Sequence, residues 1–411
     1  MGSVYLFFIS LLTPPATLAF AFYGFKKYPG HWKRFFPLFF LAFATLAYAY
    51  NPIGTPDLVR YFEMLDVCST LTLSEVFRWF DDGLFVKNVV FWLVAHLKTY
   101  HLLPAITTGI TYGVICYITC DSAIRLNCTK HIGLVLLFQI GILPYITIVC
   151  NVRNIVAFSL IILAVYRDTV QNKKNIVTLL LYVFPCFVHN TGFILIAFRV
   201  VALFSITAVI VAGVFAVISP VLIVFAYHNS SFLGSSSATR IVRRVITNAY
   251  WYMQDTDTSD WARAVAKSGA QHLNRYILMA AAVFLIVLLL WVLLKKKKEI
   301  KEFQTFSVFV LIICVFTLAC NIFTIPAYWR FSAASFIASG FILNFVMNNY
   351  KRFPTYIKTV WLLLCGVMLI KIPLQVWMAR LDVDLVDFIS NGIITNIYVI
   401  LYEVFRGLLL W

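Results

Sequence analysis

The sequence predicts an all-α, polytopic integral membrane protein, and its composition is the first reason. Hydrophobic residues make up 62% of the 411 residues and charged residues only 12%, which is more apolar side chain than a water-soluble domain needs. Stretches such as YILMAAAVFLIVLLLWVLL (276–294) are continuously apolar and long enough to cross a bilayer as a helix. Much of the formal net charge of +16 lies in short clusters between such stretches. That distribution is typical of loops beside a membrane and does not indicate a nucleic-acid partner.

Thirteen apolar segments have the composition expected of spanning helices. They lie near residues 3–23, 35–50, 102–119, 132–149, 153–166, 175–188, 191–204, 206–227, 276–294, 305–325, 331–348, 355–371 and 392–410. The sequence contains no stretch that looks like a soluble domain, so residues 1–411 are expected to form a single membrane domain.

Basic residues between these segments orient the chain, because loops rich in Lys and Arg remain in the cytoplasm. Four loops of this kind are expected to be cytoplasmic: FKKYPGHWKR (25–34), YRDTVQNKK (166–174), KKKKEIK (295–301) and YKRFPTYIK (350–358). This arrangement places the N-terminus outside and the C-terminus in the cytoplasm.

Two long polar loops then fall on the outer side, at 51–84 and 228–274. Both are expected to contribute to an active-site cavity. The apolar stretch 85–97 follows the first of them, has only 13 residues and includes Lys87 and Asn88. A stretch this short predicts a re-entrant or interfacial segment and not a spanning helix.

The second outer loop contains ATRIVRRVITNAYWYM (238–253), in which three arginines share one helical face opposite apolar residues. This pattern predicts an amphipathic helix lying in the outer membrane interface. The arginines are Arg240, Arg243 and Arg244. They bind either anionic lipid headgroups or a substrate, and the sequence leaves both interpretations open.

A G-x-x-x-G pattern lies on the 102–119 segment, at Gly109 and Gly113. Small residues at this spacing allow two helix backbones to come close together. The pattern therefore predicts a neighbouring helix packed tightly against this one.

Polar residues on the predicted outer side give the strongest functional signal, because ionisable groups within membrane proteins are costly and usually functional. Arg60, Arg153, His189, Asn190 and Arg330 are far apart in the sequence, and all are predicted at outer turns. Their convergence on one leaflet predicts a shared polar site.

Each of these residues also has a simpler interpretation. Helix-end arginines such as Arg153 and Arg330 snorkel to lipid headgroups, and His189 suits the capping of a helix turn. Asp57 and Arg60, spaced i and i+3, suit a surface ion pair worth under about 1 kcal/mol.

Arginines gathered in a water-poor outer cavity suit a lipid-linked diphosphate, because guanidinium groups bind phosphate oxygens bidentately and keep their charge. Either Asp57 or His189 would accept the proton of an attacking hydroxyl group. No acidic cluster with metal-ligand spacing stands out on that side, and the nine cysteines lie mostly in apolar runs. We therefore expect neither a cofactor nor an obligatory metal ion.

Four short motifs resemble those of the EpsG/Wzy-like bacterial polysaccharide polymerases, which make capsule, exopolysaccharide or O-antigen. They are GTPDLVRYF (54–62), NVRNIVAFSL (151–160), FVHNTGFIL (187–195) and IPAYWRFS (325–332). The first matches through Gly54, Asp57 and Tyr61. The second has Asn154 where the family usually has Gln, and an Asn here also suits the simple capping of a helix.

The resemblance implies an enzyme that joins undecaprenyl-diphosphate-linked oligosaccharide repeat units at the outer face of the bacterial cytoplasmic membrane. Arg153 and Arg330 would bind the donor diphosphate, and Asp57 or His189 would activate the acceptor hydroxyl group. The remaining residues implied in substrate binding are Arg60, Tyr61, Asn154, Asn190, Tyr328, Arg240, Arg243 and Arg244.

The resemblance also implies partners: the donor and acceptor lipid-linked oligosaccharides, membrane lipids, and a flippase and chain-length regulator of the same pathway. Two alternatives remain open. One is a related ligase or glycosyltransferase that uses a lipid-linked glycan. The other is a transporter of an anionic, lipid-linked solute, although the sequence shows no internal repeats of the kind common in transporters.

Overall fold

The computed structural model describes most of the chain. The described residues are 13–53, 57–204, 207–229, 239, 242–243, 246–247, 250, 269–295, 299–379, 384–395 and 397–409. They form helices and turns, and these ranges include no strand. The protein is therefore all-helical over the described residues, as the sequence predicts.

The α-helices are numbered here in chain order. They are α1 (Pro14–Lys27), α2 (Phe36–Tyr48), α3 (Asp57–Cys68), α4 (Leu73–Phe80), α5 (Phe85–His96), α6 (Leu102–Arg125), α7 (Ile132–Ile142), α8 (Tyr145–Cys150), α9 (Val152–Thr169), α10 (Ile176–Cys186), α11 (Thr191–Val201), α12 (Thr207–His228), α13 (Gly269–Lys295), α14 (Gln304–Phe323), α15 (Ile325–Ala338), α16 (Gly340–Asn348), α17 (Thr355–Ala379), α18 (Leu385–Ile394) and α19 (Ile397–Leu409). Short 3₁₀ turns lie at Pro29–Arg34, Thr129–His131, Ala202–Phe204, Lys301–Phe303 and Tyr350–Arg352.

Four of the described helices are long and apolar enough to cross a membrane. They are α6, α13, α14 with its preceding turn, and most of α17. The count rises to six if the pairs α15–α16 and α18–α19, bent by 50° and 91°, each form one span. The protein is thus membrane-embedded, while thirteen crossings and the orientation remain predictions.

Several expected spans are shorter than the sequence suggests. Helices α10 and α11 have 11 residues each, and at about 1.5 Å per residue they reach roughly half of a 30 Å hydrocarbon core. The 132–149 segment is divided into α7 and α8, and 331–348 is crossed by the α15–α16 bend. The predicted short segment at 85–97 is the 12-residue α5.

The predicted interfacial helix at 238–253 falls mostly outside the described residues. The described positions there, at 239, 242–243, 246–247 and 250, are helical. Its placement in the interface therefore stays a prediction.

Helix α6 lies at the centre of the fold and packs against α2, α7, α9 and α16. A Cβ atom on Gly109 would lie 2.9 Å from Phe40 of α2, and one on Gly113 would lie 3.3 Å from the same ring. Phe43 of α2 stacks on Tyr112 with 3.7 Å between ring centroids. The close approach predicted from the G-x-x-x-G pattern is confirmed, and α2 is the neighbour.

The α15–α16 bend is held by a buried polar network. The carbonyl of Phe336 accepts hydrogen bonds from Gln139 Nε2 and from Ser339 Oγ, both at 2.9 Å. Thr119 of α6 donates to Gln139 Oε1 at 2.6 Å, and Asn344 donates to the Thr119 carbonyl at 2.7 Å. A broken helix is tolerated within a membrane when its backbone groups find such partners.

The break between α7 and α8 is held from the C-terminal part of the chain. Helix α7 ends because Leu143 is extended and is followed by Pro144, which lacks an N–H group. Lys371 of α17, which is fully buried, donates to the Ile142 carbonyl, and Gln375 donates to the Gly141 carbonyl at 3.0 Å. Lysine and other long donor side chains can satisfy the last carbonyls of a helix in this way.

Candidate anion-binding site

The predicted polar residues come together where α3, α5, α9, α11 and α15 begin. Arg330 of α15 contacts Asp57 of α3 and Asn151 at the start of α9. Arg153 of α9 contacts Tyr61 of α3. The first turns of a helix carry a partial positive charge, so helix starts in mutual contact favour the binding of an anion.

A small apolar cluster beneath these turns positions α3, α5, α8 and α9. Its buried members are Ala47, Tyr50, Leu58, Tyr61, Leu65, Cys68, Val76, Phe91, Val94, Ala95, Leu103, Val149, Cys150 and Val152. Apolar residues that share one face of α3 and one face of α5 thus fix the backbone that carries the polar residues.

Arg153 is held by an aromatic residue and not by an acid. Its Nε donates to the Tyr61 hydroxyl at 3.1 Å, and its Cζ lies 4.8 Å from the Tyr61 ring centroid. Tyr61 is itself buried against Phe91 of α5, with 5.9 Å between ring centroids. No carboxylate pairs with Arg153 among the described residues, so its two terminal amino groups can bind a ligand.

Asp57 joins two arginines of very different exposure. One carboxylate oxygen accepts from Arg60, whose side chain is 68% exposed, and the other lies 3.6 Å from Arg330, whose side chain is 14% exposed. Arg330 also donates through Nε to Asn151 Oδ1 at 3.2 Å. The surface ion pair expected for Asp57 and Arg60 is present, but Asp57 also belongs to the interior of the site.

His189 lies in the turn before α11 and is linked to α9 through Thr191. The main-chain N–H of Thr191 donates to His189 Nδ1 at 3.2 Å, and the Thr191 hydroxyl donates to Asn154 Oδ1 at 3.1 Å. The Thr191 hydroxyl oxygen also lies 2.8 Å from His189 Nδ1, and which atom donates in that contact depends on the ring tautomer. The helix-capping interpretation therefore accounts for Nδ1 and leaves Nε2 for other contacts.

The charge state of His189 is set by its surroundings outside the spanning helices. Burial lowers the pKa of His189 well below its usual value of 6.5, and the positive charges of Arg153, Arg330 and Lys87 lower it further. The residue as a whole is half-buried. His189 is therefore a neutral imidazole within reach of three cations.

Lys87 joins the site although the sequence analysis did not assign it a role there. Its side chain is 1% exposed and pairs with Asp82. Its main-chain N–H donates to the Phe187 carbonyl at 3.2 Å, and Phe85 packs on Phe187 with 4.3 Å between ring centroids. These contacts fasten the start of α5 to the turn that carries His189. The sequence feature that could have identified Lys87 is a lysine within the short apolar stretch 85–97.

One predicted site residue is placed differently, and neither asparagine of the predicted site caps a helix. Tyr328 lies on the other side of α15, where its hydroxyl donates to the main-chain carbonyl of Arg275 at 2.8 Å. Asn190 begins α11, but its side chain makes no capping hydrogen bond there. Asn154 does not cap α9 and instead accepts the Thr191 hydrogen bond, so it links two site helices.

Part of the predicted site cannot be placed. Gly54, Arg240 and Arg244 lie outside the described residues. Arg243 is described as a helical, partly exposed residue. The role of these arginines at a second diphosphate therefore stays a prediction.

The contacts gather four basic side chains and two carboxylates. They are Arg60, Lys87, Arg153 and Arg330 with Asp57 and Asp82. This positive excess, together with the helix starts, matches the chemistry of a phosphate group or another oxyanion. Over the described ranges, no three His, Cys, Asp or Glu side chains form a group that could hold a metal ion.

No family model matches this chain, and no curated protein and no solved structure matches it either. The fold and the site define an all-helical, membrane-embedded protein with a positively charged polar site. The resemblance to polysaccharide polymerases rests on the four short motifs, each of which contributes residues to this site.

Proposed function

We propose that the protein is a polysaccharide polymerase, a glycosyltransferase that joins undecaprenyl-diphosphate-linked oligosaccharide repeat units. The donor is the growing glycan on its lipid diphosphate, and the acceptor is an incoming lipid-linked unit. Undecaprenyl diphosphate leaves as the new glycosidic bond forms. The energy comes from the diphosphate linkage, so the reaction needs no nucleotide.

The observation that carries this proposal is the pairing of Arg153 with Tyr61 in place of an acid. An arginine inside a membrane protein is costly unless its charge is matched. A lipid diphosphate brings that matching charge. Arg330, held by Asn151 at the adjoining helix start, supplies a second guanidinium for the same group.

In the proposed reaction, the acceptor hydroxyl oxygen attacks the anomeric carbon of the donor sugar. The bond from that carbon to the phosphate oxygen breaks, and its electron pair leaves with the diphosphate. Arg153 and Arg330 stabilise the leaving charge. The diphosphate draws Arg330 from Asp57, which then accepts the hydroxyl proton. His189, with its ring proton on Nε2, donates a hydrogen bond to a phosphate oxygen.

The proposal includes the location of the reaction. With thirteen crossings and the N-terminus outside, the site would face the outer side of a bacterial cytoplasmic membrane. A flippase of the same pathway would deliver the lipid-linked units there, and a chain-length regulator would be a further partner.

The test is a reaction in nanodiscs with purified protein and lipid-diphosphate-linked repeat units. Products would be resolved as a ladder on a gel, with and without EDTA. We expect a ladder from the wild type in both conditions and none from Arg153→Ala or His189→Ala. The matched control is Arg406→Ala, an exposed arginine on α19, which should leave the ladder unchanged.

The other outcomes separate the alternatives. A single transfer to a different acceptor, without a ladder, would favour a related ligase or glycosyltransferase. Movement of the lipid-linked unit across liposome membranes, with no transfer, would favour a transporter. A ladder that disappears with EDTA would contradict the expected metal independence.

A further inference from the structure

Arg275, like Arg153, is held by neutral groups. It lies on the other side of α15 from Arg330. It lies in the second turn of α13, and its Nε and Nη2 donate to Asn321 Oδ1 and to the Asn321 carbonyl at 2.5 and 2.6 Å. These bonds use one edge of the planar guanidinium. The edge formed by Nη1 and the second N–H of Nη2 is left for another acceptor, and no described carboxylate pairs with Arg275.

The Arg275 guanidinium is held in place before any ligand arrives. Asn321 is fixed in turn, because its Nδ2 lies 3.4 Å from Met279 Sδ. The Tyr328 ring centroid is 6.0 Å from Arg275 Cζ, and the Tyr328 hydroxyl donates to the Arg275 carbonyl. A fixed guanidinium loses little conformational entropy when it binds an oxyanion.

Two residues near Arg275 and Asn321 in the sequence carry buried polar atoms that have no hydrogen-bond partner among the described residues. Asn274, the residue before Arg275, is 1% exposed, and its Oδ1 is buried with no hydrogen-bond partner. The buried hydroxyl of Thr324, one turn after Asn321, also has none. Such groups cost stability when they are left unsatisfied, and a bound polar group with hydroxyl or water donors would satisfy them.

Capping alone does not account for Arg275. The bond to the Asn321 carbonyl satisfies the end of α14, as a basic residue often does at a helix C-terminus. That role uses only one N–H group of Arg275. A neutral donor could fill it, so it does not explain a charged side chain without an acidic partner. The remaining guanidinium edge matches two oxygens of a phosphate group.

We propose that Arg275 and Asn321 form a second phosphate-binding site, separated from the Arg153–Arg330 site by Tyr328. Its ligand is a phosphate ester at the membrane surface. Two sources share that chemistry: the headgroup of an anionic phospholipid and the diphosphate of a second lipid-linked glycan. The second source rests on the proposed function, whereas the phosphate site itself does not.

The test uses inorganic pyrophosphate and the full chain, purified in detergent with its lipids removed, in a calorimetric titration. We expect two sites in the wild type, one site in Arg275→Gln, and unchanged binding in Arg406→Gln. The affected site should weaken by about tenfold or more. Equal titrations for the wild type and Arg275→Gln would overturn the proposal.

Asn321→Asp is the second variant, and it keeps the proposal testable if Arg275→Gln does not fold. The new carboxylate would pair with Arg275 and neutralise it in place, so the fold should persist while one pyrophosphate site is lost. Retention of both sites in folded Asn321→Asp would also overturn the proposal.

Native mass spectrometry from nanodiscs distinguishes the two sources. Phosphatidylglycerol retained by the wild type and lost in Asn321→Asp would identify a headgroup site. Displacement of that lipid by an undecaprenyl diphosphate would identify the lipid-linked glycan as the ligand. These readouts require no polymerisation, so failure of the proposed reaction would not be mistaken for failure of this site.

Discussion

Arg330 lies 3.6 Å from one oxygen of the Asp57 carboxylate, and the other oxygen of that carboxylate holds Arg60. The acid therefore occupies a position between two guanidinium groups, as a bridging phosphate would. In the proposed reaction, an arriving anion would compete with Asp57 for Arg60 and Arg330 and release the carboxylate oxygens. Binding of the anion and availability of the proton acceptor would thereby be coupled.

Asp57→Asn should separate these two roles. Loss of the competing negative charge should tighten pyrophosphate binding several-fold, while loss of the proton acceptor should lower turnover by about 10²-fold or more. Calorimetric titration and the gel ladder measure the two quantities. Glu63→Gln, an exposed acid on the same helix, is the control and should change neither. Weaker binding in Asp57→Asn would contradict the competition.

The Arg153–Tyr61 contact should behave as a coupled pair. Tyr61→Phe keeps the ring and removes the hydroxyl that accepts from Nε, and Arg153→Lys removes the donor. Each change should weaken pyrophosphate binding, and the double variant should be no weaker than Arg153→Lys, with a coupling energy of about 0.5–1.5 kcal/mol. Additive effects in this double-mutant cycle would argue against the contact, and Tyr402→Phe serves as an exposed control.

The low pKa of His189 predicts a pH dependence of stability. Below the unfolded-state pKa of about 6.5, His189 binds a proton in the unfolded chain, whereas the folded ring stays neutral. The wild type should therefore lose stability relative to His189→Gln as the pH falls from 7 to 5, and the two should run in parallel above about pH 7. Thermal melts in detergent across this range measure the difference. A constant offset at all pH values would show that His189 titrates normally.

Gly340 should tolerate no side chain where α16 meets α6. A Cβ atom there would contact Thr119 Oγ1 and lie 3.1 Å from Thr119 Cα, which is backbone. Gly340→Ala should cost about 1–3 kcal/mol. Gly366→Ala within α17 meets no atom within 4 Å, so it should be neutral or stabilising by up to about 1 kcal/mol. Thermal stability of the two variants, measured side by side, decides whether the close approach exists.

The sequence predicted the close helix pair and the main polar residues because both depend on local patterns. Glycines four apart mark a helix contact, and charged residues beside apolar runs are conspicuous in a membrane protein. Asp57, Arg153, His189 and Arg330 are brought together as expected. The identity of the neighbour, α2, required the structure.

Other features depend on long-range partners that no local pattern reveals. Asn151 is an ordinary helix-start residue until Arg330 donates to it. The interruption after Phe336 is stable because Gln139, on a helix far away in the sequence, donates a hydrogen bond to the Phe336 carbonyl. Apolar runs alone therefore overstate the number of unbroken spans, and they could not place Tyr328 on the far side of its helix.

Lys371 is synthesised long after the helix end that it caps, since 229 residues separate it from Ile142. At roughly 5–20 residues per second, a ribosome needs on the order of 10 to 50 seconds to make that interval. Arg330 likewise follows Asn151 by 179 residues. A nascent chain thus contains Arg153 and its partner Tyr61 before Arg330 has been made. Completion of the charged pocket is a late event in biogenesis. Premature termination before α17 would leave the Ile142 and Gly141 carbonyls without the side-chain donors that the full chain supplies.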